Sequence, residues 1–123
     1  MKKVAGVCLV PRGPLVLAVT RGSNLNDLGL PGGKQEPGET PENCAIRELA
    51  EETNLFTHDL NLIDINNDEF GYLVYTYEVK KFTGQLKSSI EGKALWVEPK
   101  QLIQSSCTFK KANKRILKKI KLI

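Results

Sequence analysis

The sequence contains no apolar run that approaches the roughly 20 residues needed to cross a bilayer, which excludes a membrane-spanning helix. It has only three cysteines, Cys8, Cys44 and Cys107, and no CxxC pair, a set that favours a reducing cytoplasm over a disulfide scaffold. His58 is the only histidine and has no partner in view, so histidine-based catalysis is not supported. There is no internal repeat, low-complexity tract or linker. We therefore predict one cytoplasmic domain over 1–123.

The first residues, MKKVAGVCLVPRG, are basic and then apolar, a pattern shared by signal peptides and first strands. No small-residue cleavage site follows, and the PRG sequence at 11–13 indicates a turn, so we predict a strand over 4–10. A second apolar run predicts a strand over 14–20 that pairs with the first as a hairpin. The polar stretch 21–29 predicts a loop.

Acidic residues are absent from the last part of the chain. Residues 108–123 hold seven basic side chains and no acidic one, whereas the first 107 residues carry 11 basic and 14 acidic side chains. Apolar residues at helical spacing predict an amphipathic helix over 108–121. Two interpretations of its lysines stay open: a solvated helix face, or a surface that attracts phosphates or nucleic acid.

The clearest helix is predicted over 41–53. Thr40 is a good N-cap and Pro41 occupies the first helical position. Asn54 suits a left-handed C-terminal cap. Further strands are predicted over 59–67, 70–79 and 93–98. Strands before and after a helix, with a terminal helix, predict an α/β fold in which a mixed β-sheet is sandwiched between α-helices.

Three glutamates share one face of that helix. At about 100° per residue, Glu48, Glu51 and Glu52 fall within one sector, and the apolar residues Ala45, Ile46, Leu49 and Ala50 fall on the opposite side. Like charges at this spacing repel each other, and a divalent cation would compensate them. Cys44 projects toward the same face, either as a soft metal ligand or as a small residue in a crowded place.

Residues 33–55 carry a longer pattern, G-x5-E-x7-R-E-U-x-E-E-x-G-U, where U is aliphatic. It resembles the Nudix box at eight of nine specified positions, and the exception is Asn54, where the family has glycine. Asparagine tolerates the cap conformation required there, so the departure is mild. The chain looks like a minimal, MutT-like Nudix hydrolase, and the matching positions are Gly33, Glu39, Arg47, Glu48, Leu49, Glu51, Glu52 and Leu55.

The resemblance implies hydrolysis of a nucleoside diphosphate linked to another group X, with Mg²⁺ as cofactor and Mn²⁺ as a substitute. It implies that Glu48, Glu51 and Glu52 are the metal-binding and catalytic carboxylates, and that the carbonyl of Gly32 is a further ligand. We expect Glu48 to act as the general base. The family also implies that Arg47 positions the site, acting through Glu39.

Other site residues are expected outside the box. Some family members take a further metal ligand from a loop before the last strand, where Glu91 lies. By resemblance to MutT-type enzymes, the amide of Asn113 reads the nucleobase, and the alternative is a polar residue on a helix surface. Tyr72 and Tyr75 lie on the strand that lines the substrate cleft, and one is expected to contact the base while the other packs. Gly33 and Lys34 are also expected at the substrate.

The favoured function is a Mg²⁺-dependent pyrophosphohydrolase that cleaves an oxidised or otherwise non-standard nucleoside triphosphate to the monophosphate and pyrophosphate. One alternative substrate is a dinucleoside polyphosphate or an RNA 5′ end, motivated by the basic helix. A non-catalytic nucleotide-binding module is the alternative of another class, and the intact glutamates argue against it. The expected partner is a small nucleotide, with no membrane, and the chain is a monomer or a homodimer.

Overall fold

The computed structural model describes residues 3–123, so Met1 and Lys2, which open the segment compared above with a signal peptide, lie outside the described residues. Within 3–123 there are two α-helices, α1 (Pro41–Thr53) and α2 (Lys110–Lys119), and a 3₁₀ helix at Pro99–Ile103. None of these helices is long and apolar enough to span a membrane. The strands are β1 (Lys3–Leu9), β2 (Pro11–Arg12), β3 (Leu15–Arg21), β4 (Asn24–Gly29), β5 (Gly32–Lys34), β6 (Leu60–Asn67), β7 (Tyr72–Val79) and β8 (Ala94–Val97).

The strands form two sheets that share the layer between the helices. The first sheet has the order β5-β1-β7-β6 and is mixed, because β1 and β7 are parallel while the other pairs are antiparallel. In the second sheet β2, β4 and β8 all pair antiparallel with β3. The predicted strands over 59–67, 70–79 and 93–98 are confirmed as β6, β7 and β8.

The predicted hairpin of 4–10 with 14–20 is wrong, although both strands exist. β1 pairs with β5 and β7 in one sheet, whereas β3 belongs to the other. The turn lies at residues 13–14 instead of the predicted 11–13. It folds the two residues of β2 back onto β3, and the backbone N–H of Leu17 also donates to the carbonyl of Val10 at 3.0 Å, whereas β1 has its strand partners far along the chain. The predicted loop over 21–29 is also wrong, because residues 24–29 form β4 and bury Leu28.

The two helices cover opposite faces of this strand layer. Ala45 and Leu49 of α1 pack with Cys8, Leu17 and Val79, whereas Ile116 and Leu117 of α2 belong to a second core cluster that also contains Leu9 and Val16. The predicted mixed sheet between helices is therefore confirmed. A Cβ at Gly6 of β1 would lie 2.5 Å from the carbonyl oxygen of Pro41, so α1 rests directly on the β1 backbone.

The ends of α1 are fixed as its sequence predicts. The Oγ1 atom of Thr40 accepts a hydrogen bond of 3.0 Å from the backbone N–H of Asn43. Asn54 has φ 63° and ψ 22°, which is the left-handed cap conformation. Its Nδ2 atom also donates to the carbonyl of Gln85 at 2.8 Å, so the end of α1 is tied to the loop between β7 and β8.

Candidate active site

The carboxylate face of α1 lies against β5. The backbone N–H of Gly32 donates to Oε1 of Glu52 at 2.8 Å, which joins the strand to the helix. The side chain of Glu48 is 16% exposed and that of Glu51 is 53% exposed. The three predicted metal-binding glutamates therefore range from half-buried to open to solvent on one helix face.

The guanidinium of Arg47 gathers the acidic side chains around it. Its Nε donates to Oε2 of Glu39 at 2.6 Å. Its Nη1 donates to Oε1 of Glu48 at 3.0 Å and to Oε1 of Glu51 at 2.8 Å. Its Nη2 donates to the carbonyl of Lys34 at 3.0 Å. One arginine thus links the loop before α1, the helix itself and β5.

These hydrogen bonds shift the pKa values of Arg47 and Glu39 in opposite directions. Hydrogen bonds to Glu39, Glu51 and Glu48 raise the pKa of Arg47, which stays charged. The hydrogen bond from Arg47 lowers the pKa of Glu39, so this carboxylate stays ionised.

Burial raises the pKa of the two carboxylates that lie closer to the sheet, Glu52 and Glu48. The pKa of Glu52 rises to about 8 because of burial, although the N–H of Gly32 opposes the shift and repulsion from Glu48, Glu91 and Glu51 adds to it. Burial also raises the pKa of Glu48, against the favourable hydrogen bond from Arg47.

Gly33 is required by the position of Glu48. A Cβ built on Gly33 would lie 2.4 Å from the carboxyl carbon and 2.4 Å from Oε1 of Glu48. Any side chain at this position would displace the carboxylate, so the glycine allows close contact between backbone and acid.

A cavity of about 480 Å³ lies on the other side of β5, between the first sheet and α2. Gly32, Gly33 and Lys34 line it, and the same three residues contact Glu52, Glu48 and Arg47. β5 therefore borders both the carboxylate cluster and the cavity. The apolar part of the lining includes Val7, Phe70, Val74, Phe109, Ala112 and Ile116.

The sequence matches the NUDIX domain over residues 2–120. The chain belongs to the NUDIX domain family. This Nudix domain is 44% identical over 45 residues to the 8-oxo-dGTP diphosphatase of Escherichia coli (strain K12). That match covers 37% of the chain and spans only about a third, 35%, of the curated relative. The family prediction made from residues 33–55 is confirmed.

Solved structures share the fold over nearly the whole Nudix domain. The mutator MutT protein from Bacillus halodurans is 25% identical, with a TM-score of 0.77 over 94% of this chain and 82% of that one. The MutT NUDIX hydrolase from Burkholderia pseudomallei is 19% identical, with a TM-score of 0.79 over 95% of this chain and 98% of that one. The prediction of a MutT-like α/β fold is confirmed.

The carboxylates of this Nudix domain fit a divalent cation by their chemistry. Within residues 3–123, no three His, Cys, Asp or Glu side chains are already arranged as a metal-binding group. Glu48 and Glu51 accept hydrogen bonds from Arg47 instead. Oxygen donors are the ligands that Mg²⁺ prefers. A cation among them would relieve the repulsion that adds to the effect of burial in raising the pKa of Glu52. Glu91 is close enough to contribute to that repulsion, and its role as a ligand stays a prediction.

Most of the residues predicted to contact substrate line the cavity of the Nudix domain, and one packs in its core. Tyr72, Lys34 and Asn113 all line the cavity, and Nζ of Lys34 lies 5.7 Å from the ring centroid of Tyr72. Tyr75 is on the opposite face of β7 and packs against the core beneath α1. Asn113 is 3% exposed, so the alternative of a helix-surface residue is wrong.

The cavity lining also contains residues that are not among the predicted site residues, including Arg21, Phe70 and Thr76. The guanidinium of Arg21 lies 5.3 Å from the ring centroid of Phe109, and the ring of Phe70 meets the same ring edge-on at 5.9 Å. The period of two along β7 could have found Thr76, because Tyr72 and Thr76 share a strand face. No local signal marks the other two.

Two other residues singled out in the sequence, Cys44 and His58, remain to be placed in the structure. Cys44 is fully buried, and its Sγ donates to the carbonyl of Gly33 at 3.3 Å. Burial raises its pKa to about 11, so it is a small packed residue at neutral pH. His58 is exposed.

Proposed function

We propose that this MutT-like Nudix hydrolase is a Mg²⁺-dependent pyrophosphohydrolase that converts a nucleoside triphosphate to the monophosphate and pyrophosphate. One observation carries the proposal: β5 borders a base-sized cavity on one side and the carboxylate cluster of α1 on the other. A nucleotide with its base in the cavity would extend its phosphates across Gly32 and Gly33 toward the glutamates.

The cation would be held by Glu48, Glu51 and Glu52, with the carbonyl of Gly32 and the carboxylate of Glu91 as further ligands. A bound Mg²⁺ neutralises phosphate charge and lowers the pKa of a coordinated water. Glu48 would act as the general base that accepts a proton from the attacking water, the role expected for it from the family resemblance.

Arg47 and Glu39 act as positioning residues in this proposal. The pair holds the loop at 35–40 against α1, and the Nη1 atom of Arg47 fixes the directions of Glu48 and Glu51. Lys34 is exposed at the mouth of the cavity, where its charge attracts the phosphates.

The base side of the site favours a planar, polar-edged group. Tyr72, Phe70 and Phe109 supply aromatic surface, and Asn113 supplies an amide. The partial match to an 8-oxo-dGTP diphosphatase makes oxidised purine nucleotides the first substrates to test.

The test is a panel of standard and oxidised nucleoside triphosphates and dinucleoside polyphosphates, with Mg²⁺ or Mn²⁺ and with EDTA. We expect monophosphate and pyrophosphate as products, no turnover in EDTA, and loss of turnover in Glu51→Gln and Glu52→Gln. Glu42→Gln, at an exposed position of the same helix, is the matched control. If neither metal supports turnover of any substrate, the chain is a binding module and the proposal fails.

A second candidate substrate, an RNA 5′ end, is favoured by the charge of α2. Lys110, Lys111, Lys114 and Lys118 are exposed, and α2 forms one wall of the cavity. Of the other basic residues of the helix, Arg115 and Lys119 pair with Asp64. A strand with its 5′ end at β5 could run along these lysines.

Replacing Lys110, Lys114 and Lys118 by glutamine tests this second candidate. We expect weaker binding and turnover of 5′-triphosphorylated RNA, with unchanged turnover of mononucleotides. The salt slope should fall by about 2, because each phosphate contact on a single strand contributes roughly 0.7. The control removes the same charge at exposed residues outside α2: Lys80, Lys81 and Lys100. Equal effects of the two triple variants would reject the RNA substrate.

A further inference from the structure

Thr76 carries a buried hydroxyl group without a hydrogen-bond partner. The residue has no exposed surface, and none of the described residues, 3–123, bonds to its Oγ1 atom. It is the only buried side-chain nitrogen or oxygen of this kind in that part of the chain. Because buried polar atoms are almost always paired, this hydroxyl requires an explanation.

Its position in β7 places it at the cavity. Tyr72, Val74 and Thr76 follow each other on one face of the strand, and all three line the cavity. Thr76 is in register with Val7 of β1, another lining residue. Thr76 is therefore one of the residues that form the floor of the cavity, opposite the wall formed by α2.

Asn113 on the α2 wall is oriented by a bond outside the cavity. Its Nδ2 atom donates to the carbonyl of Leu102 at 2.9 Å. A carbonyl only accepts hydrogen bonds, so the amide nitrogen must face Leu102. The amide oxygen and the second hydrogen on Nδ2 are then the groups that a ligand could bond. The cavity thus combines a fixed acceptor on one wall with a threonine in its floor, whose hydroxyl can both donate and accept.

We propose that Thr76 is a specificity-determining residue whose hydroxyl hydrogen-bonds the polar edge of the bound nucleobase. The ligand class is a base with a donor for Asn113 beside a group that pairs with the hydroxyl. The inference rests on the proposed function, since it takes the cavity as the base site. A base lacking the matching group leaves this hydroxyl unpaired, and sites of that kind discriminate strongly.

The test compares Thr76→Val, which keeps the shape and removes the hydroxyl, with Thr76→Ser, which keeps the hydroxyl. Binding of GMP, 8-oxo-GMP, AMP, CMP and UMP is measured by calorimetry, alongside kcat and KM for the matching triphosphates. We expect Thr76→Val to weaken binding of the preferred base at least 10-fold and to raise its KM by a similar factor. The kcat should change less than about 3-fold, and Thr76→Ser should stay within about 3-fold of wild type in every constant.

Thermal unfolding without ligand keeps folding defects apart from binding defects. Thr76→Val removes an unpaired buried hydroxyl, so its midpoint should equal or exceed that of wild type. If an active enzyme keeps its affinities and base preference in Thr76→Val, the inference fails while the proposed function stands. If the wild type hydrolyses none of the triphosphates and binds none of the five monophosphates, both fail.

Discussion

The Gly33 backbone lies so close to the Glu48 carboxylate that a Cβ at residue 33 would be 2.4 Å from its carboxyl carbon. This contact couples a strand that borders the cavity to an acid proposed to take part in catalysis. The glycine of the motif is therefore required for lack of space and not for its backbone conformation, because the φ of Gly33 is not positive.

Gly33→Ala should strongly reduce the proposed hydrolase activity while leaving the fold intact. The new methyl group must push Glu48 aside, and a displacement of about 1 Å in an active site costs on the order of 100-fold in rate. Turnover of the best panel substrate is the measurement. Gly29→Ala is the control, since a Cβ there meets only Phe109 at 3.9 Å. Equal activity in the two variants would contradict the geometry.

Glu52→Gln should lose activity and gain stability at alkaline pH. The pKa of Glu52 is raised from 4.5 to about 8 in the fold, so the fold favours the protonated acid. That stabilisation is complete below pH 4.5 and is lost as the pH rises through 8. Glutamine keeps the acceptor for Gly32 and does not ionise, so above pH 8 the variant should be more stable by at least about 1 kcal/mol.

The measurement is thermal unfolding in EDTA between pH 5 and pH 9. The midpoint difference between Glu52→Gln and wild type should grow with pH and reach ~4 °C at the alkaline end. Glu42→Gln, at an exposed position on the same helix, should show no such trend. A difference that is constant across the range would mean that Glu52 is not buried as described.

Arg47→Lys should fail to replace arginine despite keeping its charge. The guanidinium contacts Glu39, Glu48 and Glu51 from different nitrogen atoms, and a single ammonium group cannot reproduce that fork. We expect kcat to fall about 10- to 100-fold and the unfolding free energy to fall by about 1–3 kcal/mol. Arg12→Lys, which alters an exposed arginine stacked over Trp96, is the control for both measurements.

Substitutions at Asn54 should separate backbone conformation from side-chain bonding. Asn54→Gly keeps the left-handed cap without a Cβ penalty and loses only the hydrogen bond to Gln85. Asn54→Ala loses the bond and is also strained, at a cost of roughly 1–2 kcal/mol. Thermal unfolding should therefore rank wild type and Asn54→Gly close together, with Asn54→Ala below both. An alanine variant as stable as the glycine variant would refute this account.

The sequence alone was sufficient to predict those parts of the site that lie within one segment of the chain. Helix α1, the cap at Thr40 and the left-handed Asn54 depend on neighbours within a few residues, so local patterns predict them. The contacts of Arg47 with Glu39 and Glu51 also lie within one loop and one helix. The family pattern of residues 33–55 added the expected roles.

Strand partners and the cavity could not be predicted in the same way. β1 pairs with β7 about 70 residues later, and no local pattern specifies that choice over the nearer β3. The polar sequence NLNDLG became β4 because β3 offered it a partner. Phe70 and Phe109 meet across the cavity only after these pairings are made, so their contact is a property of the tertiary fold.

β5 is only three residues long, and it separates the place where a base would bind from the place where a phosphate bond would be cleaved. β5 pairs with β1, and its Gly32 backbone N–H donates to Glu52, so both contacts hold this short strand in place. It therefore sets a fixed distance between the cavity and the glutamates. The enzyme would then select the number of linking atoms between base and scissile bond as strictly as the base itself. Nucleotides with a longer or shorter connection would bind in the cavity and present the wrong bond to the glutamates.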